Sequence, residues 1–186
     1  MTTIKPKKGD LLIAEPSIIG DMSFNRSIIL LADHTTEGSI GFILNKPLDY
    51  TIKDLVPEIE SNFKVYNGGP VEQDNLYFIH TVPEIIPESI EISLGIYWGG
   101  DFNTVAELIA NKKIDESNIR FFLGYSGWDP TQLENELKLN SWLVSKNIYE
   151  KEIIEKNYET FWKEKMLELG GDYSIWSNAP ENPSFN

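Results

Sequence analysis

No cysteine occurs among the 186 residues, which excludes disulfide staples, thiolate metal sites and a cysteine nucleophile. Histidine is nearly as scarce, with two copies, His34 and His80. Positive charge is also in short supply. Sixteen Lys and Arg face 29 Asp and Glu, for a formal charge of −13, and a chain so charged repels nucleic-acid phosphates and anionic lipid surfaces. The only tight basic group, Lys5, Lys7 and Lys8, reads as a solvated arm. No apolar run approaches the roughly 20 residues that cross a bilayer. The start, Met1 to Lys8, has the charge of a signal peptide without an apolar stretch behind it, because Leu11–Ala14 is stopped at once by Glu15 and Pro16. The expectation is a soluble cytoplasmic protein that needs no cofactor. Against these absences, 41% of residues are hydrophobic and 12% aromatic, enough for a core that removes roughly 70% of the extended chain's surface from water. One domain spanning 1–186 follows, with a core over about 9–145 and a C-terminal amphipathic helix and tail over about 149–186.

The first two thirds reads as short strands and turns. Leu11–Ala14 and Ser27–Ala32 are aliphatic throughout, as suits strands buried on both faces. Asp33–Gly38 is a turn and Ser39–Leu44 the returning strand of a hairpin. Thr51 with Asp54 forms a capping box that opens a short helix. Lys64–Tyr66, Leu76–Ile79 and Ile119–Tyr125 are further strands, and Ile90–Trp98 has strand composition. Asp101 starts a helix with Val105, Leu108 and Ile109 on one face, and a later helix carries Leu133 and Leu137, with Trp142 and Leu143 around its seam. From Tyr149 to Leu169, Ile154, Tyr158, Phe161, Trp162 and Met166 recur at helical spacing, and Gly170-Gly171 supplies a left-handed C-cap. Asn178–Asn186, rich in Pro and Asn, is read as extended.

Three ordered segments carry a resemblance. They are Gly9–Ala14 with Pro16, Phe24–Ile28, His34–Gly41 and Asn45; Tyr66–Val71 with His80; and Phe122–Trp128 with Gln132–Glu134, Glu136-Leu137 and Trp142. In order and gaps they are similar to the YqgE/AlgH family of small bacterial proteins, with Trp162, Leu169-Gly170 and Asp172-Tyr173 matching its C-terminal extension. The resemblance implies an α+β fold in which a branched β-sheet curls into a pseudo-barrel flanked by helices. It also brings a label of transcriptional regulator and no established enzymatic activity. Asp129 and Thr131 stand where many members have glycine, which reduces backbone freedom after Trp128.

Each candidate constellation has a plain structural explanation. Asp129, Pro130 and Gln132 fit an N-cap, a first helical residue and a reach-back partner, where a helix start could otherwise bind an anion. Gly68, Gly69 and Pro70 form a sharp turn needing positive φ, without the lysine and following helix of a phosphate loop. Gly124-Tyr-Ser-Gly127 lacks the Gly-x-Ser-x-Gly spacing of a nucleophile elbow. Gly124 and Gly127 predict a bend that presents Tyr125 to a groove. The leading expectation is therefore a non-catalytic binding or regulatory module whose partner is a protein or a small ligand. Its groove is walled by Gly68–Val71 and Tyr125–Gln132, including Trp128, with Arg26, His34 and Asn45 as polar contacts. The alternative is a small hydrolase-like or metal-assisted enzyme using His34 and His80, and a third reading is direct DNA binding, which the charge opposes.

Overall fold

The computed structural model describes residues 5–16 and 23–180; the last six residues of the expected extended tail lie outside the described residues. β1 (Leu11–Ala14), β2 (Ile28–Thr35) and β3 (Gly38–Ile43) form an antiparallel meander. Alternation of side chains along each strand sends Leu11, Ile13, Ile28, Leu30 and Phe42 to one face and Leu12, Ile29, Leu31 and Ile43 to the other. Both faces are covered, which explains the continuous aliphatic runs. The turn is shorter than Asp33–Gly38, because β2 runs on through Asp33, His34 and Thr35 after a bulge.

β4 (Pro47–Thr51) leads into the four-residue α1 (Ile52–Leu55), whose capping residue Thr51 donates its amide and hydroxyl to Asp54. β5 (Lys64–Asn67) and β6 (Val71–His80) flank β9 (Ile119–Trp128), one parallel and one antiparallel. Ile90–Trp98 is a hairpin, not one strand. β7 (Ile90–Ser93) and β8 (Ile96–Trp98) are joined through Leu94 and Gly95, both at positive φ, the conformation of a tight hairpin turn. α2 (Phe102–Ala110) is capped by the Asp101 carboxylate on the Thr104 amide and buries Val105 and Ile109.

β9 is the branch point. Its first part pairs β5 and β6, and beyond Gly124 (φ +70°) its last residues pair β3. The path β10-β1-β2-β3-β9-β6-β8-β7 curls around one cluster that collects Leu30, Phe42, Tyr66, Ile79, Ile92, Ile96 and Phe122. Its ends, β10 and β7, do not pair among the described residues. The sheet is branched and curled as expected but open, which corrects the pseudo-barrel.

Two more expectations are corrected. α3 (Gln132–Lys138) ends before Trp142, and Trp142 and Leu143 belong to β10 (Trp142–Ser145), which pairs β1. The stretch from Tyr149 to Leu169 is not one helix. A 3₁₀ turn (Glu150–Glu155) precedes α4 (Phe161–Leu169), which ends at Gly170 (φ +67°), and α5 (Tyr173–Trp176) follows. At the break lies Arg120, 7% exposed, whose guanidinium donates to the carbonyls of Leu44 (2.8 Å), Ile154 and Lys156 (3.2 Å) and lies 4.4 Å over the Tyr66 ring. Two carbonyls that a continuous helix would spend on its own amides are spent on the sheet instead. Ile153, Ile154, Phe161, Trp162 and Met166 thereby fill the inside of the curl. Burial lowers the Arg120 pKa from its usual value, Tyr66 and Glu116 opposing it.

Candidate functional site

The largest concentration of expected site residues lies where β9 leaves the sheet. A cleft of about 500 Å³ is lined by Tyr125, Gly127, Trp128, Asp129 and Gln132 on one side, Val71 above, and Asp33, Glu37 and Ser39 of the β2–β3 hairpin opposite. Close backbone approach builds its floor. A Cβ on Gly38 would fall 2.5 Å from the Trp128 carbonyl oxygen, one on Gly68 2.2 Å from that of Gly124, and one on Gly69 2.2 Å from the Tyr125 carbonyl carbon. Gly68 and Gly69 are thus buried beneath β9 and their turn reaches the cleft only through Val71, while Pro70 is exposed outside the cleft lining. Gly127 leaves room for the Tyr125 ring, which packs edge-on against Tyr77 at 5.6 Å.

One carboxylate fixes the back wall. Glu136 Oε2 accepts the indole N–H of Trp128 (2.8 Å) and of Trp142 (2.7 Å), and its Oε1 accepts Gln132 Nε2 (2.9 Å). Both indoles are only 6% exposed and pack edge-to-face at 6.0 Å. Glu136 was not among the expected site residues; its spacing of four from Gln132 on one helix face was the available signal. Gln132 Oε1 does accept the Asp129 amide at 3.0 Å as expected. The helix cap, however, is Thr131, not Asp129, and it sits at φ +68°, a region a β-branched side chain occupies under strain.

His34 and His80 do not meet. His34 Nδ1 lies 2.7 Å from Ser39 Oγ and its Nε2 4.0 Å from Glu134 Oε1. The strand register puts His34 opposite Ser39, and Ser39 opposite Trp128 at one end of β9, whereas His80 is opposite Ile119 at the other end. Nine residues of strand, roughly 30 Å of chain, separate these positions. This rules out the shared imidazole site. His80 is fully buried: its Nε2 faces the Gly99 carbonyl (3.1 Å) and Ser89 Oγ (3.0 Å), and its Nδ1 accepts the Val82 amide (3.3 Å). Burial lowers its pKa from 6.5, against pulls from Gly99 and Glu84. No group of three or more His, Asp or Glu among the described residues is arranged to hold a metal ion.

Arg26 and Asn45 also lie apart from Tyr125. They line a second cleft with Lys46, Trp162 and Lys163. Asn45 Nδ2 donates to the Arg26 carbonyl and Asn45 Oδ1 accepts the Ile28 amide, both at 2.9 Å, which holds Arg26 at φ +54°.

A family model described as AlgH-like matches residues 11–174. The chain belongs to the AlgH-like family. A UPF0301 protein of Bacteroides thetaiotaomicron is 42% identical over 98% of this chain and 93% of its own, and one of Cytophaga hutchinsonii is 41% identical over 96% and 98%. The solution structure of the AlgH protein from Pseudomonas aeruginosa superposes with a TM-score of 0.73 at 22% identity, covering 97% of this chain and 98% of that one. A crystal structure of a Corynebacterium diphtheriae protein gives 0.74 at 20% identity, covering 96% and 95%. These neighbours establish the AlgH-like fold. Among the described residues, no helix is long and apolar enough to cross a membrane.

Proposed function

We propose that this AlgH-like protein is a non-catalytic binding module of the cytoplasm, with a regulatory role exerted through a protein segment or small ligand taken into the cleft between the β2–β3 hairpin and the β9–α3 corner. The observation that carries this reading is a preformed wall: Trp128 is locked by Glu136 behind it, so the cleft keeps its shape without an occupant, and preorganisation lowers the cost of binding. Asp33, Glu37 and Asp129 at the rim favour a cationic group on the partner. A charge of −13 favours regulation through a protein over direct DNA contact. Saturation-transfer NMR with a fragment library, together with pull-down, tests the reading by comparing wild type with Tyr125→Ala. Tyr125 is the half-buried side chain that can be shortened while the Glu136 bonds stay in place. Loss of specific ligands from the folded variant supports the groove, and retention of all of them ends it.

A second reading rests on the Ser39–His34 contact of 2.7 Å beside the cleft, the pairing of a hydroxyl nucleophile with its base. It replaces the first if p-nitrophenyl esters turn over in wild type and not in Ser39→Ala. His80 has no part in it.

A further inference from the structure

The second cleft, about 470 Å³, has the opposite charge to the rest of the molecule. Arg26, Lys46 and Lys163 line it with a single carboxylate, Glu159, beside them, in a chain of net charge −13. Arg26 has no carboxylate partner among the described residues. Its Nη2 donates instead to the carbonyl oxygens of Ala179 (2.9 Å) and Pro180 (2.7 Å), and its guanidinium lies 4.8 Å over the Trp162 ring. A charged donor on neutral carbonyls is held by weaker acceptors than an oxyanion offers. Trp162 also lines this cleft, is 4% exposed, and carries the one buried side-chain polar atom among the described residues that lacks a hydrogen-bond partner, its indole Nε1–H. A buried donor left without an acceptor is costly and uncommon in native structures.

We infer that this cleft binds the phosphate group of a small soluble molecule, with Arg26 and Lys163 supplying charge and Trp162 Nε1–H a hydrogen bond. The phosphate oxygens take the place of the Ala179 and Pro180 carbonyls on Arg26. Guanidinium, ammonium and indole N–H donors around one cleft suit the three acceptor oxygens of a phosphate monoester better than the two of a carboxylate. The Asn45 bonds that fix the backbone of residues 26–28 keep Arg26 in place when the carbonyls are exchanged. This site is separate from the acidic cleft and does not depend on the function proposed for it.

The test is a titration of the ¹⁵N-labelled full chain with inorganic phosphate at constant ionic strength, reading the Trp162 indole resonance, assigned with Trp162→Phe. A saturable shift with a Kd of about 1–10 mM is expected, since a bare phosphate makes few contacts. Lys163→Gln, at an exposed position, weakens binding about threefold, and Arg26→Gln abolishes it while the rest of the spectrum reports an intact fold. Three results overturn the inference: an indole resonance that moves no more with phosphate than with sodium chloride, a Lys163→Gln curve that superposes on wild type, and acetate saturating the site at the same concentration as phosphate.

Discussion

Trp128 and Trp162 each line a cleft, but their indole N–H groups are treated in opposite ways. Trp128 shares the Glu136 carboxylate with Trp142 behind it, and Gln132 takes the other oxygen. Trp162 has an arginine over its ring and, among the described residues, no acceptor for its N–H. The first arrangement spends its polar groups on itself and makes a stiff wall. The second leaves a donor and a guanidinium with capacity for something else. The difference teaches that burial of an aromatic ring does not distinguish scaffold from site, whereas the state of its one polar atom does.

The hardest way to break the contrast is to remove the shared acceptor. Glu136→Ala leaves two buried indole donors unsatisfied, each costing about 1–3 kcal/mol, so we expect destabilisation of about 2–4 kcal/mol by urea or thermal unfolding. A loss below about 1 kcal/mol would mean that water replaces the carboxylate and that the wall is softer than its geometry implies.

A matched pair sharpens it further. Trp128→Phe and Trp162→Phe remove the same atoms from rings of nearly equal burial, 6% and 4%. They differ chiefly in whether a hydrogen bond to a carboxylate is lost. Such a bond is worth about 1.5–3 kcal/mol, part of which is recovered because no donor is left behind. Trp128→Phe is therefore expected to cost about 1–2 kcal/mol more than Trp162→Phe in chemical denaturation. Equal losses would show that Trp162 is as well satisfied as Trp128.

Beside the acidic cleft, Thr131 carries a local cost. Its φ of +68° is a glycine conformation, and the family resemblance implies glycine at this position in many members. Relief of the left-handed strain, about 1–2 kcal/mol, exceeds the extra freedom that glycine gives the unfolded chain. Thr131→Gly should therefore raise stability by about 0.5–1 kcal/mol, seen as a higher Tm. If the variant is less stable, the exposed threonine holds the α3 entry by a contact stronger than its strain.

Much of this architecture was legible, and the failures share one cause. Leu11–Ala14 was read to the residue because both of its faces are buried and its sequence says so. The Thr51–Asp54 box and the Asp101 start are local devices, complete within four residues. Trp142–Ser145 was misplaced because what makes it a strand is β1, about 130 positions earlier in the chain. The helix expected from Tyr149 to Leu169 is interrupted where Arg120, far earlier in the chain, takes the Ile154 and Lys156 carbonyls. The site followed the same rule. Tyr125, Trp128 and Gln132 are neighbours in sequence and share a cleft. Arg26 and Asn45 were grouped with them by family pattern alone, and the sheet carries them to the opposite kind of surface.

His80 gives a third instance of a buried polar ring, and the gentlest test. It resembles Trp128 in being fully satisfied: the Val82 amide fixes Nδ1 as an acceptor and leaves the proton on Nε2, facing the Gly99 carbonyl. A second proton would have to sit on Nδ1, directly against that amide, and burial opposes the charge as well, so the folded-state pKa is lowered from 6.5. Because the unfolded chain takes up this proton first, the neutral ring's contribution is fully present above about pH 6.5. It is lost as pH falls through that value, until the folded state itself protonates. The expected result is a small decline in unfolding free energy just below pH 6.5, detectable in parallel urea titrations. His80→Gln lowers stability throughout but removes this part of the slope, since a glutamine has nothing to titrate. A slope unchanged by the substitution would show that His80 does not carry the acid sensitivity, and it would then no longer count with Trp128 as a closed, self-satisfied group.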